Sequence, residues 1–223
     1  MANAMKVDDE GPTPWSTGQR RQVSDPGLWT IDLLGPDAAG RAEVESYLAA
    51  AYARAFDGRI RRHYPMLVSV KDSAGALRAG VGYRFAEHEP LFLEQYLDDN
   101  VETVLARAFR RPTARSRIAE IGNLAADSHA ASSALFAALA NHLLAQDRHY
   151  AVAPATRQLR RRFRRVGLET QTLTRAAPER LASGAAEWGG YYARDPEVLA
   201  GAIKPSTSLL ARTPLARGGD GAQ

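Results

Sequence analysis

The chain has 223 residues, 45% of them hydrophobic and 24% charged, which is the make-up of a globular protein with a real core. It has no cysteine, so disulfides, thiolate catalysis, iron–sulfur clusters and thiolate-held zinc are excluded. The net charge of +4 is almost wholly arginine, because Lys6, Lys71 and Lys204 are the only lysines, and so mild an excess does not announce a nucleic-acid binder.

Residues 1–26 are polar and punctuated by Pro12, Pro14, Gly18 and Pro26, and read as a flexible arm. They lack the apolar core of a signal peptide, and no stretch nears the roughly 20 apolar residues of a membrane span, so the cytoplasm is the default location. A single domain is expected over 27–204 and a flexible tail over 205–223.

Within the domain, residues 29–34 alternate as a strand. Val44, Tyr47, Leu48, Ala51, Tyr52 and Ala55 then fall at helical spacing over 42–56, with Gly58 as a stop. Residues 65–70 and 77–85 form a hairpin about the turn 71–76. The segment 90–97, read as ending a strand, leads into a helix bearing Val101, Val104, Leu105 and Ala108. Residues 118–126 are a strand, joined by a short polar loop to a helix with Leu135, Leu139 and Leu143 four apart. A strand at 150–153, a helix over 156–166 with Gly167 as its C-cap, a strand at 168–173 and a short helix at 196–202 complete the chain. The fold class is α/β with a mixed sheet.

The strand–loop–helix at 118–145 carries the most chemistry. A loop opening a helix leaves N–H groups unpaired at the positive end of the dipole, and small residues let phosphates approach. Ser128, Ala130, Ala131, Ser132 and Ser133 are all small. The plain alternative is that Ser132 only caps the helix. Glu120 stands on a mostly apolar strand, where burial raises a carboxyl pKa into the range of a general base; the alternative is a structural ion pair with an arginine. Asn123, three residues on, faces away from Glu120 unless a bulge at Gly122 turns it.

Glu94, Gln95 and Tyr96 lie beside Phe92 and Leu93, as part of a pocket or as a solvated strand edge. Trp188, Tyr191 and Tyr192 cover a pocket or close the core. The arginines 157, 160, 161, 162, 164 and 165 form a solvated helix face, or hold phosphates, an acidic protein surface or an anionic membrane. Five scattered histidines have no metal-binding spacing, and neither a Gly-x-Ser-x-Gly elbow nor a Walker loop occurs.

The element order, with a helix ending Phe163-Arg-Arg-Val-Gly-Leu168, resembles the GNAT (GCN5-related N-acetyltransferase) domain. Four segments resemble the thermostable hemolysin family: Pro90-Leu-Phe-Leu-Glu-Gln-Tyr-Leu-Asp98, Glu120-Ile-Gly-Asn-Leu-Ala125, 155–168 and Trp188-Gly-Gly-Tyr-Tyr192. The strand at 120 also resembles, more weakly, acyl-homoserine-lactone synthases. These likenesses imply a GNAT-like, mostly antiparallel central sheet flanked by helices, and an N-acyltransferase. Its cosubstrate would be acyl-CoA or acyl-phosphopantetheine on an acyl carrier protein, with no tightly bound cofactor and a small amine as acceptor. Glu120 and Asn123 become catalytic candidates. Backbone N–H groups near Leu124 and Ala125 would steady the thioester oxygen, with Ser128 to Ser133 and Arg160 on the donor's phosphates. Glu94, Gln95, Tyr96, Trp188 and Tyr191 would line the substrate pocket.

Two departures from the GNAT pattern stand out. Asp127-Ser-His-Ala-Ala-Ser132 replaces the glycine-rich phosphate loop, and Phe163 replaces the tyrosine that often protonates the leaving thiolate. They favour a carrier-bound donor over CoA, and an acid that comes from elsewhere or is not needed, since a thiolate is already a fair leaving group. A membrane-active hemolysin-like protein and a non-catalytic acyl-binding module are the alternatives.

Overall fold

A computed structural model describes residues 21–25, 29–60, 62–182 and 184–205; the rest of the arm, 1–20, and the tail from 206 lie outside the described residues. Strand β1 (Arg21–Asp25) pairs antiparallel with β2 (Trp29–Leu34), so the last residues assigned to the arm belong to the sheet. Helix α1 (Arg41–Phe56) buries Val44 and Leu48, one turn apart, and ends at Asp57, whose N–H donates to Ala53 O at 2.8 Å. Strands β3 (Met66–Lys71) and β4 (Leu77–Phe85) form the expected hairpin. The Asp72 carboxylate organises its turn by accepting the N–H groups of Ala74 and Ala76 at 3.0 and 2.9 Å.

A 3-10 helix, Phe92–Tyr96, precedes α2 (Val101–Phe109); the segment around Glu94 is therefore not a strand end. Strand β5 (Ile118–Ala126), α3 (His129–Ala145), β6 (Tyr150–Ala155) and α4 (Arg157–Arg165) follow. Helix α4 closes at Gly167 (φ 79°), where Leu168 N–H reaches back to Phe163 O at 3.0 Å. That bond ties Leu168 to the helix end, and strand β7 starts only at Gln171 (Gln171–Arg175).

Residues 196–202 are not a helix. They form β8 (Glu197–Ala202), inserted between β6 and β7. Val198, Leu199 and Ala200 are all buried, as in a central strand covered on both faces, whereas a surface helix hides only one stripe. A longer 3-10 segment, Ala186–Arg194, kinked at Gly189, leads into it.

The sheet has eight strands in the order β1-β2-β3-β4-β5-β6-β8-β7, and only β5 and β6 run parallel. The mixed, mostly antiparallel sheet expected from the sequence is the observed one. Side chains of adjacent strand residues enter opposite layers. Leu34, Leu67 and Tyr64 pack with Val44 and Leu48 of α1, and Ile118 and Val152 with Val101 and Leu105 of α2. Leu33, Val68 and Ala119 pack with Leu135 and Leu139 of α3, and Ala155 and Leu199 with Phe163 of α4.

Candidate active site at the fork between β5 and β6

β5 and β6 are paired only from Ile118 to Glu120, against Tyr150 to Val152. Beyond that the strands part, and the upper half of β5 keeps β4 alone as its neighbour. There the β4–β5 register slips: Gly82 faces Gly122 and Gly80 faces Ala125, so Val81 stands opposite both Asn123 and Leu124. This is a β-bulge, one residue past the position expected at Gly122, with Asn123 itself left-handed at φ 53°. The Asn123 Nδ2 is buried and has no hydrogen-bond partner. Asp127 N–H donates to Arg78 O on β4 at 2.9 Å. By alternation Ala125 N–H also faces β4, which leaves Leu124, not Ala125, directed at the open edge.

Glu120 has no exposed surface. Its carboxylate accepts Phe92 N–H at 3.0 Å and Leu93 N–H at 2.8 Å, which closes the first turn of the Phe92–Tyr96 helix. Arg84, its cross-strand partner on β4, places Nε 3.2 Å from Oε2 as an ion pair without an aligned hydrogen bond, and also reaches Glu89 at 3.2 Å. Burial pushes the Glu120 carboxyl up to about 7, against the opposing pull of Arg84 and the two N–H groups. Both readings of Glu120 thus meet at one atom set: a structural arginine partner, and a proton affinity suited to a base.

The Tyr64 ring lies on the same layer, in a trough made by two glycines. A Cβ at Gly82 would fall 2.7 Å from Tyr64 Cβ, and one at Gly122 would fall 2.3 Å from its hydroxyl. The Arg84 guanidinium sits 4.5 Å above the ring. Burial first, and then the Glu120 charge, raise the Tyr64 phenol well above its usual value.

Glu94 is already heavily partnered. It takes Leu91 N–H at 2.9 Å and Val101 N–H at 3.3 Å, and grips Arg115 through both oxygens at 2.6 and 2.8 Å. Burial raises its pKa, but the Arg115 and backbone hydrogen bonds outweigh that and leave it below the ordinary value. Gln95 is similarly engaged, donating to Phe92 O at 3.0 Å and accepting Ala182 N–H at 3.3 Å. The Tyr96 and Tyr192 hydroxyls share a 2.5 Å hydrogen bond. Around them Phe92, Trp188 and Tyr191 stack edge and face with Tyr52 and Phe56, so the aromatics close the core on the α1 side. Gly189 (φ 51°) lets this segment press against the end of α1, where a Cβ would meet Phe56 O at 2.2 Å.

At the start of α3 the cap is Ser128, whose side chain accepts Ala131 N–H at 3.1 Å; Ser132 instead donates to Ser128 O at 2.9 Å. Ala131 and Ser132 are buried, so of the small residues only Ser128, Ala130 and the half-buried Ser133 remain on the open side. The Asp127 carboxylate accepts the Tyr47 hydroxyl at 2.7 Å, which turns it to the α1 side. Arg160 does not reach this loop either. It ties α4 to the β8 strand through Glu197 at 2.7 Å and Asp195 at 3.3 Å. Arg161, Arg164 and Arg165 remain exposed on the outer face.

Sequence reasoning missed Arg84 and Tyr64, and also a mainly apolar groove between α3 and α4. The groove has a cavity volume of about 130 Å³, opens on one side, and is lined by Ile121, Phe136, Leu139, Phe163, Leu168 and Leu199. It was hidden because β8, which supplies its floor, reads as a helix. Among the described residues no His, Asp and Glu side chains gather as a metal site, and no helix is long and apolar enough to cross a membrane.

The family model for thermostable hemolysin matches residues 34–207. The chain belongs to the thermostable hemolysin family. No curated protein matches this family member. Its fold is that of several solved structures. TofI in an apo form superposes with a TM-score of 0.57 at 14% identity, covering 82% of this chain and 97% of that one. FeeM, an N-acyl amino acid synthase from uncultured soil microbes, gives 0.52 at 13% identity over 85% and 96%. BjaI, a CoA-dependent acyl-homoserine lactone synthase solved with SAM and isopentyl-CoA, gives 0.52 at 17% over 82% and 89%. The thermostable hemolysin chain thus has a GNAT-like fold of the kind found in acyl-homoserine-lactone and N-acyl amino acid synthases.

Proposed function

We propose that this protein is an N-acyltransferase that moves an acyl group from a thioester, on CoA or on a carrier's phosphopantetheine, to the amine of a small acceptor such as an amino acid. The observation that carries the reading is the fork itself: β5 leaves β6 beside a buried carboxylate and bulges at Asn123. In this reading the Asn123 amide and the Leu124 N–H would hydrogen-bond the thioester oxygen, and such donors stabilise the charge that develops during attack. Glu120 takes the proton of the attacking amine. Because Phe92 and Leu93 cover it, the acceptor amine competes with their N–H groups for the carboxylate. The apolar groove beyond Ile121 suits an acyl chain longer than acetyl. The likeness to FeeM and BjaI supports the reaction class, and the exposed arginines of α4 suit an acidic carrier or CoA phosphates.

The test pairs a series of acyl-CoA and acyl-carrier donors with amino-acid acceptors, reading N-acyl product by mass spectrometry. Glu120→Gln should lower turnover by about 100-fold or more while unfolding stays cooperative. The wild-type kcat/KM should rise with pH through about 7, as the base loses its proton. Normal turnover in Glu120→Gln would remove Glu120 from the chemistry.

A further inference from the structure

An arginine that only stiffens a fold is normally spent on hydrogen bonds, because a guanidinium offers a fork of N–H donors that costs free energy when left unused inside a protein. Two part-buried arginines of this chain follow that rule. Arg41 donates to Tyr64 O at 2.7 Å, to Pro65 O at 2.8 Å and to Glu45 at 2.7 Å. Arg115 donates to Ala86 O at 2.7 Å and grips both Glu94 and Glu102.

Arg84 does not follow it. Its side chain is only 13% exposed, yet among the described residues it makes no hydrogen bond. Its contacts to Glu120 and Glu89, both at 3.2 Å, are ion pairs alone, and Nε is buried without a hydrogen-bond partner. The guanidinium lies over the Tyr64 ring, 4.5 Å from its centroid, so its place is set by the ring and the two charges. Glu89 is 38% exposed, and a pairing with so open a carboxylate is weak and readily exchanged.

The two charges at the fork match an α-amino acid laid head to tail against them. Arg84 stands opposite Glu120 in the β4–β5 register, with Nε and Oε2 3.2 Å apart. In an α-amino acid the ammonium and the carboxylate hang from one carbon, also roughly 3 Å apart. Set antiparallel to the pair, the ammonium meets Glu120 and the carboxylate meets Arg84, so each buried charge gains its opposite. A simple amine serves Glu120 only and leaves the arginine's donors unused.

We propose that Arg84 anchors the acceptor's carboxylate, and so restricts the acceptor to amines that carry a free carboxylate on the same carbon. This rests on the acyl-transfer reading, which puts the acceptor amine at Glu120. The carboxylate takes the unbonded edge of the guanidinium in a two-point contact and displaces Glu89 toward solvent. Glu89 is in this sense the acceptor's stand-in, a carboxylate already beside the arginine. The site reads the charged end of an amino acid and not its side chain.

The experiment pairs each common L-amino acid with its primary amide, which keeps the amine and removes the negative charge. The wild-type kcat/KM should be about 100-fold or more higher for the acid. Arg84→Gln should lower kcat/KM for the acid by a similar factor, chiefly through KM, and for the amide by no more than a few-fold. Equal use of acid and amide by the wild type overturns the assignment. Equal loss of both in Arg84→Gln overturns it too, because the arginine would then act only by supporting Glu120. Should Arg84→Gln not fold, Glu89→Gln removes the competing carboxylate and should lower KM several times more for the acid than for the amide; an unchanged KM for the acid overturns the assignment equally. Saturation-transfer NMR of the wild type with the same acids and amides, without a thioester, separates the site from the reaction. Acid-selective binding with no turnover on any donor keeps the site and rejects the acyltransferase reading. Turnover without acid selectivity does the reverse, and neither binding nor turnover rejects both.

Discussion

Glu120 links stability to pH in a way that can be measured without knowing a substrate. Its carboxyl titrates near 7 in the fold, against 4.5 when unfolded. The folded state therefore binds this proton more tightly. The stability that goes with it is complete at acid pH and declines as pH rises between the two values. At about 1.4 kcal/mol for each pKa unit, the linkage amounts to roughly 2.5 kcal/mol between about pH 5 and pH 8. Urea unfolding of the wild type and of Glu120→Gln across that range isolates the effect, since all other titrations are common to both. Glutamine supplies one carbonyl oxygen for two N–H donors, so the variant should be the less stable protein at pH 5. The gap should then close by about 2.5 kcal/mol toward pH 8. A gap that stays constant to within about 0.5 kcal/mol would mean that Arg84 and the two N–H groups fully offset burial, and the reasoning would fail.

Gly122→Ala should destabilise by about 1–3 kcal/mol, because the new methyl overlaps the Tyr64 ring. In a Tyr64→Ala background most of that cost should vanish, and a double-mutant cycle by chemical denaturation reads the coupling. Glu94→Gln should cost about 1–3 kcal/mol by the same method, since it breaks the twin contact to Arg115 and loosens the Phe92–Tyr96 helix over Glu120. Any loss of activity in that variant should be accompanied by this loss of stability.

Much of the site was legible because a single anomaly marks it: an acidic residue inside an apolar strand. Burial follows from the neighbours Ile118, Ala119 and Ile121, and a raised pKa follows from burial. The bulge was harder to place. Glycine is the residue most open to irregular backbone, which drew attention to Gly122, yet the left-handed residue is Asn123. Gly122 is small for another reason, a ring arriving from Tyr64, and that residue sits in a loop with no periodic pattern to reveal it. The run at 196–202 reads as a helix, and not as the strand Glu197–Ala202, because a short apolar stretch has too few turns for its period to separate the two. The α4 arginines read as one block because Asp195 and Glu197, which engage Arg160, lie 35 or more residues away in sequence.

These elements support one another in an order that explains why Glu120 can be buried at all. A lone carboxylate in the sheet would cost several kcal/mol, and one arginine that is itself shared with Glu89 does not cover that cost. The two N–H groups of the Phe92–Tyr96 helix, which would otherwise be unsatisfied at its start, reduce it further without cancelling it. That helix is held in turn by Glu94 and Arg115 at its far side and by Gln95 to Ala182. The same backbone that keeps Glu120 satisfied also seals it from solvent. On the acyl-transfer reading proposed above, an acceptor amine would reach the carboxylate only by replacing those N–H donors, which would couple its binding to movement of the Phe92–Tyr96 helix.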